Sequence, residues 1–250
     1  MGSKVLRFEL TRRVIDIRLD RPSCNKGCRL MDRDTWIFIG FIISALIFTM
    51  IVYFALSTAI PVGTLIFLII PFTWNCIVKK RSAKYLGFTF NDFFRNVGLG
   101  VLIAFVLIGF IIIIELNFQI ESSIKDLMVK SRSPAFTFLK IFPFPQCVLM
   151  FFIYNLLVQA FGEELFFRGF ILKELLNRIR EYAAITISAL FFGVIHLPLL
   201  IIIPGLVSAF FVINSVLVGI IFAYIFVKRG SLIPSWVAHT IANTFALIFI

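Results

Sequence analysis

Gln159-Ala-Phe-Gly-Glu-Glu-Leu-Phe-Phe-Arg-Gly-Phe-Ile-Leu172 is the stretch on which the reading of this chain turns. The residues just before it are hydrophobic enough to lie in lipid, yet Glu163, Glu164 and Arg168 follow without a break. A charged side chain at such a depth costs about 2.5 to 3.5 kcal/mol unless it is paired, neutralised or wetted. The three charges therefore need partners, and the fold has to bring those partners to them.

The surrounding chain supports a membrane setting. Hydrophobic residues make up 60% of the 250, and mean hydropathy is +1.03, well above the roughly 45 to 50% apolar share of soluble domains. Hydropathy places spans at about Trp36 to Ser57, Ile60 to Val78, Val97 to Ile114, Cys147 to Phe167, Ala183 to Leu200, Leu206 to Val227 and Leu232 to Ile250, each near the ~20 residues a bilayer core requires. The expected fold is an all-α polytopic helical bundle of seven spans. A partly inserted element over Phe136 to Cys147, broken by Pro143 and Pro145, would make eight.

Three regions are expected: a basic N-terminal segment at 1–35, N-terminal transmembrane helices and loops at 36–145, and a membrane core at 146–250. The segment from 79 to 95, with Phe88, Phe90, Phe93 and Phe94, reads as an interfacial helix. The net charge of +11 is first a topology signal, not a nucleic-acid footprint. In the seven-span arrangement twenty Lys and Arg fall on one side and four on the other, which places the N-terminus and the loop after Glu163 and Glu164 in the cytoplasm. Residues 1–35 lack the apolar core and cleavage site of a signal peptide. The four scattered Cys and the lack of a signal peptide fit a bacterial or archaeal plasma membrane, the expected location, and equally an internal membrane of a eukaryote.

Glu164 and Arg168 are four apart with the acid first, the favourable order for a helical ion pair. Glu163 lies about 100° round the helix and has no basic residue three or four positions away. The chain has two histidines, His196 and His239, both inside expected spans. Glu163 and His196 stand on consecutive antiparallel helices at nearly equal distances from the turn near Arg180, so their side chains reach one depth. Asn243, four residues after His239, shares its helix face. A carboxylate, two imidazoles and an amide at one level suffice for hydrolysis. Glu163 and His196 can take a proton from water, and His239 and Asn243 can donate to an oxyanion. The same side chains allow a second chemistry in which Glu163, His196 and His239 hold Zn²⁺. The first version needs no cofactor.

Glu163-Glu164-x3-Arg168, Phe192-x3-His196 and His239-x3-Asn243, in that order, resemble the three motifs of the CPBP intramembrane proteases, which include CAAX prenyl endopeptidases and bacteriocin-processing enzymes. The resemblance covers roughly 146 to 250. It implies a membrane endopeptidase acting near the cytoplasmic face, with Glu163, His196, His239 and Asn243 catalytic and Glu164 and Arg168 supporting. The expected substrate is a membrane-associated peptide, either prenylated at its C-terminus or a leader peptide, and the expected surroundings are lipid. Two other classes fit the same residues: a non-proteolytic scaffold for partner membrane proteins, and a proton-coupled transporter that uses intramembrane Glu and His as a relay.

Overall fold

The computed structural model describes residues 33–56, 62–118, 129, 134–202 and 205–245. All regular structure among them is helical. α1 (Arg33–Leu56) is followed by α2 (Val62–Phe72), which runs into a π-helical segment, Thr73–Val78. A single 3-10 turn at Ala83–Leu86 leads to α3 (Phe93–Phe118), and the short α4 (Pro134–Ile141) precedes α5 (Gln146–Leu157). α6 (Gln159–Glu164) continues as a π-helical stretch, Leu165–Leu172, and ends in α7 (Lys173–Leu176). α8 (Glu181–Val194), α9 (Pro198–Ile202), α10 (Leu206–Arg229) and α11 (Ile233–Phe245) complete the described chain.

Four segments among the described residues are long and apolar enough to cross a membrane: Phe93–Ile114, Gln146–Leu176, Glu181–Ile201 and Leu206–Arg229. This is a multi-pass membrane protein, with four such segments in place of the expected seven or eight. Composition overstated the count because hydropathy does not see where a helix stops. The second expected span resolves into a shorter apolar helix, Thr64–Val78, with Pro71 inside it and a π-helical end. α11, on the seventh expected span, has 13 described residues, and 246–250 lie outside them. α1 covers the first expected span, with Ser57 outside the described residues. The eighth element is α4, whose 8 residues reach about 12 Å at 1.5 Å each, far short of the ~30 Å hydrocarbon core. Of the basic segment at 1–35, residues 1–32 lie outside the described residues.

The segment 79–95 is also not an interfacial helix. Positive φ at Lys80, Gly87 and Asp92 interrupts it, leaving a loop around the 3-10 turn. Three of its rings still face outward, Phe90, Phe93 and Phe94, while Phe88 packs inward on Phe161 at 5.6 Å.

α10 shows why the long helices form as they do. Its 24 residues carry no charge before Lys228 and Arg229 in the last turn, where cations suit the helix dipole. Gly230 then takes a left-handed conformation (φ 62°) and closes the helix through its N–H to the Phe226 carbonyl. At about 36 Å, the helix exceeds the bilayer core. α8 packs on α10, and α11 packs on α3 and α5. Small residues permit this closeness. A Cβ on Gly100 of α3 would lie 2.7 Å from the Pro234 carbonyl oxygen of α11, so glycine is required for that crossing.

The stretch from Leu165 to Leu172 is the centre of the molecule, every residue of it buried. Phe166 stacks on Phe67 of α2 at 4.6 Å, and Phe170 meets Phe38 of α1 edge-on at 5.7 Å. Just before it, Val158 leaves helical geometry (φ −126°, ψ −71°), so α6 starts afresh and carries Glu163 and Glu164 inward. At its far end, Glu174 is 3% exposed and takes Arg81 at 2.6 Å and Arg178 at 3.6 Å. The Tyr85 hydroxyl accepts from Asn177 beside this carboxylate; burial, followed by the Glu174 charge, raises its pKa above the usual tyrosine value.

Candidate active site

The three charges of the opening stretch all find partners, and most partners come from distant sequence. Glu164 is wholly buried. Its Oε1 accepts from Arg168 Nη1 at 3.0 Å and from His239 Nδ1 at 2.9 Å. The expected helical ion pair is thus present, and a third member joins it from α11, 75 residues away. Arg168, itself 1% exposed, lies over the Phe192 ring at 4.5 Å and near Phe222 at 5.4 Å, with Nη2 reaching the Gly219 carbonyl at 3.5 Å. Two aromatic faces, a carboxylate and a carbonyl compensate for taking this guanidinium out of water.

Glu163 is the more accessible acid, at 8% against 0% for Glu164. Its Oε2 lies 3.6 Å from His239 Nε2, too far for a direct hydrogen bond. His239 therefore stands between both acids, anchored through Nδ1 on Glu164 and presenting Nε2 to Glu163. Phe192 and Phe222 flank its ring at 5.9 Å and 5.8 Å.

His196 lies in the turn just after α8, and its Nδ1 makes a 2.9 Å contact with the Phe192 carbonyl oxygen. A carbonyl only accepts, so this contact puts the proton on Nδ1 and leaves Nε2 as the free acceptor. Phe192 touches His196 edge-on at 5.2 Å. Glu163, His239 and Arg168 are the ionisable groups whose charge reaches the His196 ring.

Asn243 is held differently from the histidines. Asn155 of α5, fully buried, donates from Nδ2 to the Phe151 carbonyl at 2.9 Å, and so turns its Oδ1 outward. Asn243 Nδ2 donates to that oxygen at 3.0 Å, which leaves the second N–H of the same amide for another acceptor. Asn155 was not among the residues anticipated from sequence. The signal was there, because an amide inside an otherwise apolar span requires a partner. Tyr154, beside it, brings a buried hydroxyl into the electrostatic reach of Glu163 and also was not anticipated.

The alternative ligand set, Glu163 with His196 and His239, does not assemble. Among the described residues no group of three or more His, Cys, Asp or Glu is placed to hold a metal ion. Nδ1 of His239 is held by Glu164 and Nδ1 of His196 by a backbone carbonyl, which leaves Nε2 of each ring facing the site.

Residues 145–245 match the family model of the type II CAAX prenyl endopeptidase Rce1-like proteins. The matched part runs from the start of α5 to the end of α11 and contains every residue of the site. No curated protein and no solved structure matches the chain.

Proposed function

We propose that this chain is a membrane-embedded endopeptidase, hydrolysing a peptide bond of a membrane-associated substrate with Glu163 as the base. The observation that carries this reading is a pair of buried carboxylates joined by one imidazole, inside the matched segment. Glu164, tied to Arg168, is the fixed acid that orients His239. Glu163 has no such tie and is the one a substrate water can reach. A low-dielectric, preorganised setting of this kind favours proton transfer and charge stabilisation at fixed positions.

In the proposed step, water gives a proton to a Glu163 carboxylate oxygen as its own oxygen bonds to the peptide carbonyl carbon. His196 Nε2 is the second acceptor that aligns the water. Negative charge develops on the former carbonyl oxygen, where the free N–H of Asn243 donates. His239 in its imidazolium form donates from both nitrogens, Nδ1 to Glu164 and Nε2 to the oxyanion. Collapse breaks the C–N bond, and the proton held by Glu163 passes to the leaving amine.

The same proposal takes the side rich in Lys and Arg as cytoplasmic and the substrate as prenylated or leader-type. Both follow from charge placement and the family resemblance. The test is cleavage of membrane-anchored and prenylated peptides by the purified protein, comparing the parent with Glu163→Ala, with and without a zinc chelator. Loss in Glu163→Ala with no effect of chelator is expected. Chelator-sensitive, zinc-restored cleavage would reassign the same residues as ligands. A panel left uncut, while Glu163→Ala keeps the protein's effect in cells, would replace the enzyme reading by the scaffold.

A further inference from the structure

Three side chains of α11 that bond to α5 or α6, Trp236, His239 and Asn243, stand at i, i+3 and i+7 and so lie along one face of the helix. His239 and Asn243 carry the proposed chemistry. Trp236 has no part in it, yet its indole Nε1 donates to the backbone carbonyl of Leu156 at 2.8 Å.

The place of Leu156 gives that bond its meaning. It lies in the last turn of α5, where carbonyls have no partner within their own helix. Two residues later Val158 leaves helical geometry, and its aliphatic side chain cannot cap the start of α6. A side chain that takes a carbonyl from the helical ladder is a known cause of a sharp bend, and here the indole comes from 80 residues away. Beyond the break, the Phe161 ring packs on the Trp236 ring with centroids 5.0 Å apart. One side chain thus grips the chain before and after the break, and Glu163 follows Phe161 by two residues.

The break decides where Glu163 lies. Were α5 to run on unbroken through Val158, α6 would continue along its axis and carry the acids in another direction. Glu164 is bonded to His239, but Glu163 Oε2 stands 3.6 Å from His239 Nε2 without a direct bond. That gap is set by the angle at which α6 departs, and Trp236 spans the angle from a position three residues before His239. A tryptophan serving only as an interfacial anchor would turn its N–H to the headgroups; this one turns inward to a backbone carbonyl.

We propose that Trp236 is a positioning residue: by clasping Leu156 and Phe161 across the Val158 break, it fixes the direction of α6 and with it the gap between Glu163 and His239. Its consequence for cleavage rests on the peptidase reading, whereas its consequence for geometry does not.

The test uses the full chain in lipid bilayers with isotope-labelled His rings and Glu carboxyls, and magic-angle-spinning NMR to read contacts between ring nitrogens and carboxyl carbons. The parent is compared with Trp236→Phe, which keeps an aromatic ring on Phe161, and with a chain carrying β-(3-benzothienyl)alanine in place of Trp236, which keeps the bicyclic shape and loses only the N–H. His239 is recognised by its Nδ1 contact to Glu164, which should persist in all three. Its Nε2 contact to Glu163 should weaken in both altered chains. In peptide cleavage, kcat should fall by about 10² with KM little changed, the effect of a misplacement of about 1 Å at the reacting groups. An Nε2 contact unchanged in the benzothienylalanine chain overturns the proposal. So does a lower melting temperature accompanied by the parent's Nε2 contact and kcat, which would make Trp236 a structural clasp alone. A parent that cuts no peptide strikes the peptidase reading, and the Nε2 contact then still decides for or against Trp236.

Discussion

Glu164→Gln separates the fixed acid from the reacting one by changing charge without changing shape. In the parent, Oε1 of Glu164 holds Arg168 at 3.0 Å and His239 at 2.9 Å, and both Glu164 and Arg168 are about 1% exposed. A glutamine still offers a carbonyl to either donor, so the hydrogen-bond geometry survives. What disappears is the charge opposite a guanidinium that has no water. Removing one partner of a buried pair typically costs about 3 to 5 kcal/mol.

For a chain of this size, with a melting shift of roughly 2 to 4 °C per kcal/mol, the melting temperature should fall by about 6 to 20 °C. The assay is thermal unfolding of the detergent-purified protein followed by tryptophan fluorescence, with Arg168→Met and the double variant Glu164→Gln/Arg168→Met completing the cycle. Removing both charges at similar volume should recover most of the loss, because replacing a whole buried pair is often close to neutral. A Glu164→Gln protein melting within about 2 °C of the parent would refute the reasoning, since that is less than 1 kcal/mol produces.

Other outcomes follow from the same geometry. Glu163→Gln should abolish peptide cleavage, lowering kcat/KM by about 10² to 10⁴, the usual worth of a general base, while shifting the melting temperature far less than Glu164→Gln. Asn155→Leu should reduce kcat by about 10² to 10³ with KM little changed, because Asn243 loses the acceptor that aims its amide at the oxyanion; equal losses in the two parameters would contradict this. Gly100→Val should separate α3 from α11 and lower the melting temperature, since the added carbons meet the Pro234 carbonyl. Tyr85, with its hydroxyl raised above the usual tyrosine value by burial and Glu174, is neutral in the folded protein at pH values where the unfolded chain ionises. Its stabilisation is full below the unfolded pKa and is lost as pH rises through the folded one, so Tyr85→Phe should flatten the alkaline fall in stability measured by denaturant titration.

How much of this was legible in the sequence depended on the distance between partners. Glu164 with Arg168 could be read because helix geometry relates residues four apart, and the structure holds them at 3.0 Å even where the helix loosens to π geometry. Glu163 looked unpartnered because its neighbour, His239, arrives from another helix. Spacing along a chain carries no information about such a contact until the packing of α11 is known. Asn243 was read as a free donor, whereas half of its amide is taken by Asn155. The span count failed for a related reason. Hydropathy reports that 60 to 78 is apolar, but not that the helix there is short and ends in a π turn.

The dependence of the site on α11 bears on how the protein is made. Ribosomes deliver Glu163 and Glu164 long before His239, and during that interval Arg168 is the only cation on their own helix within pairing distance. The nascent bundle thus carries its acids in a form steadied by Arg168 yet without the imidazole that spans them. Proteolytic competence, on the proposed chemistry, begins only when the last described helix has packed against α5 and α6. An insertion machinery crowded with unfolded peptide is a dangerous place for an active protease, and here the order of synthesis itself delays the hazard.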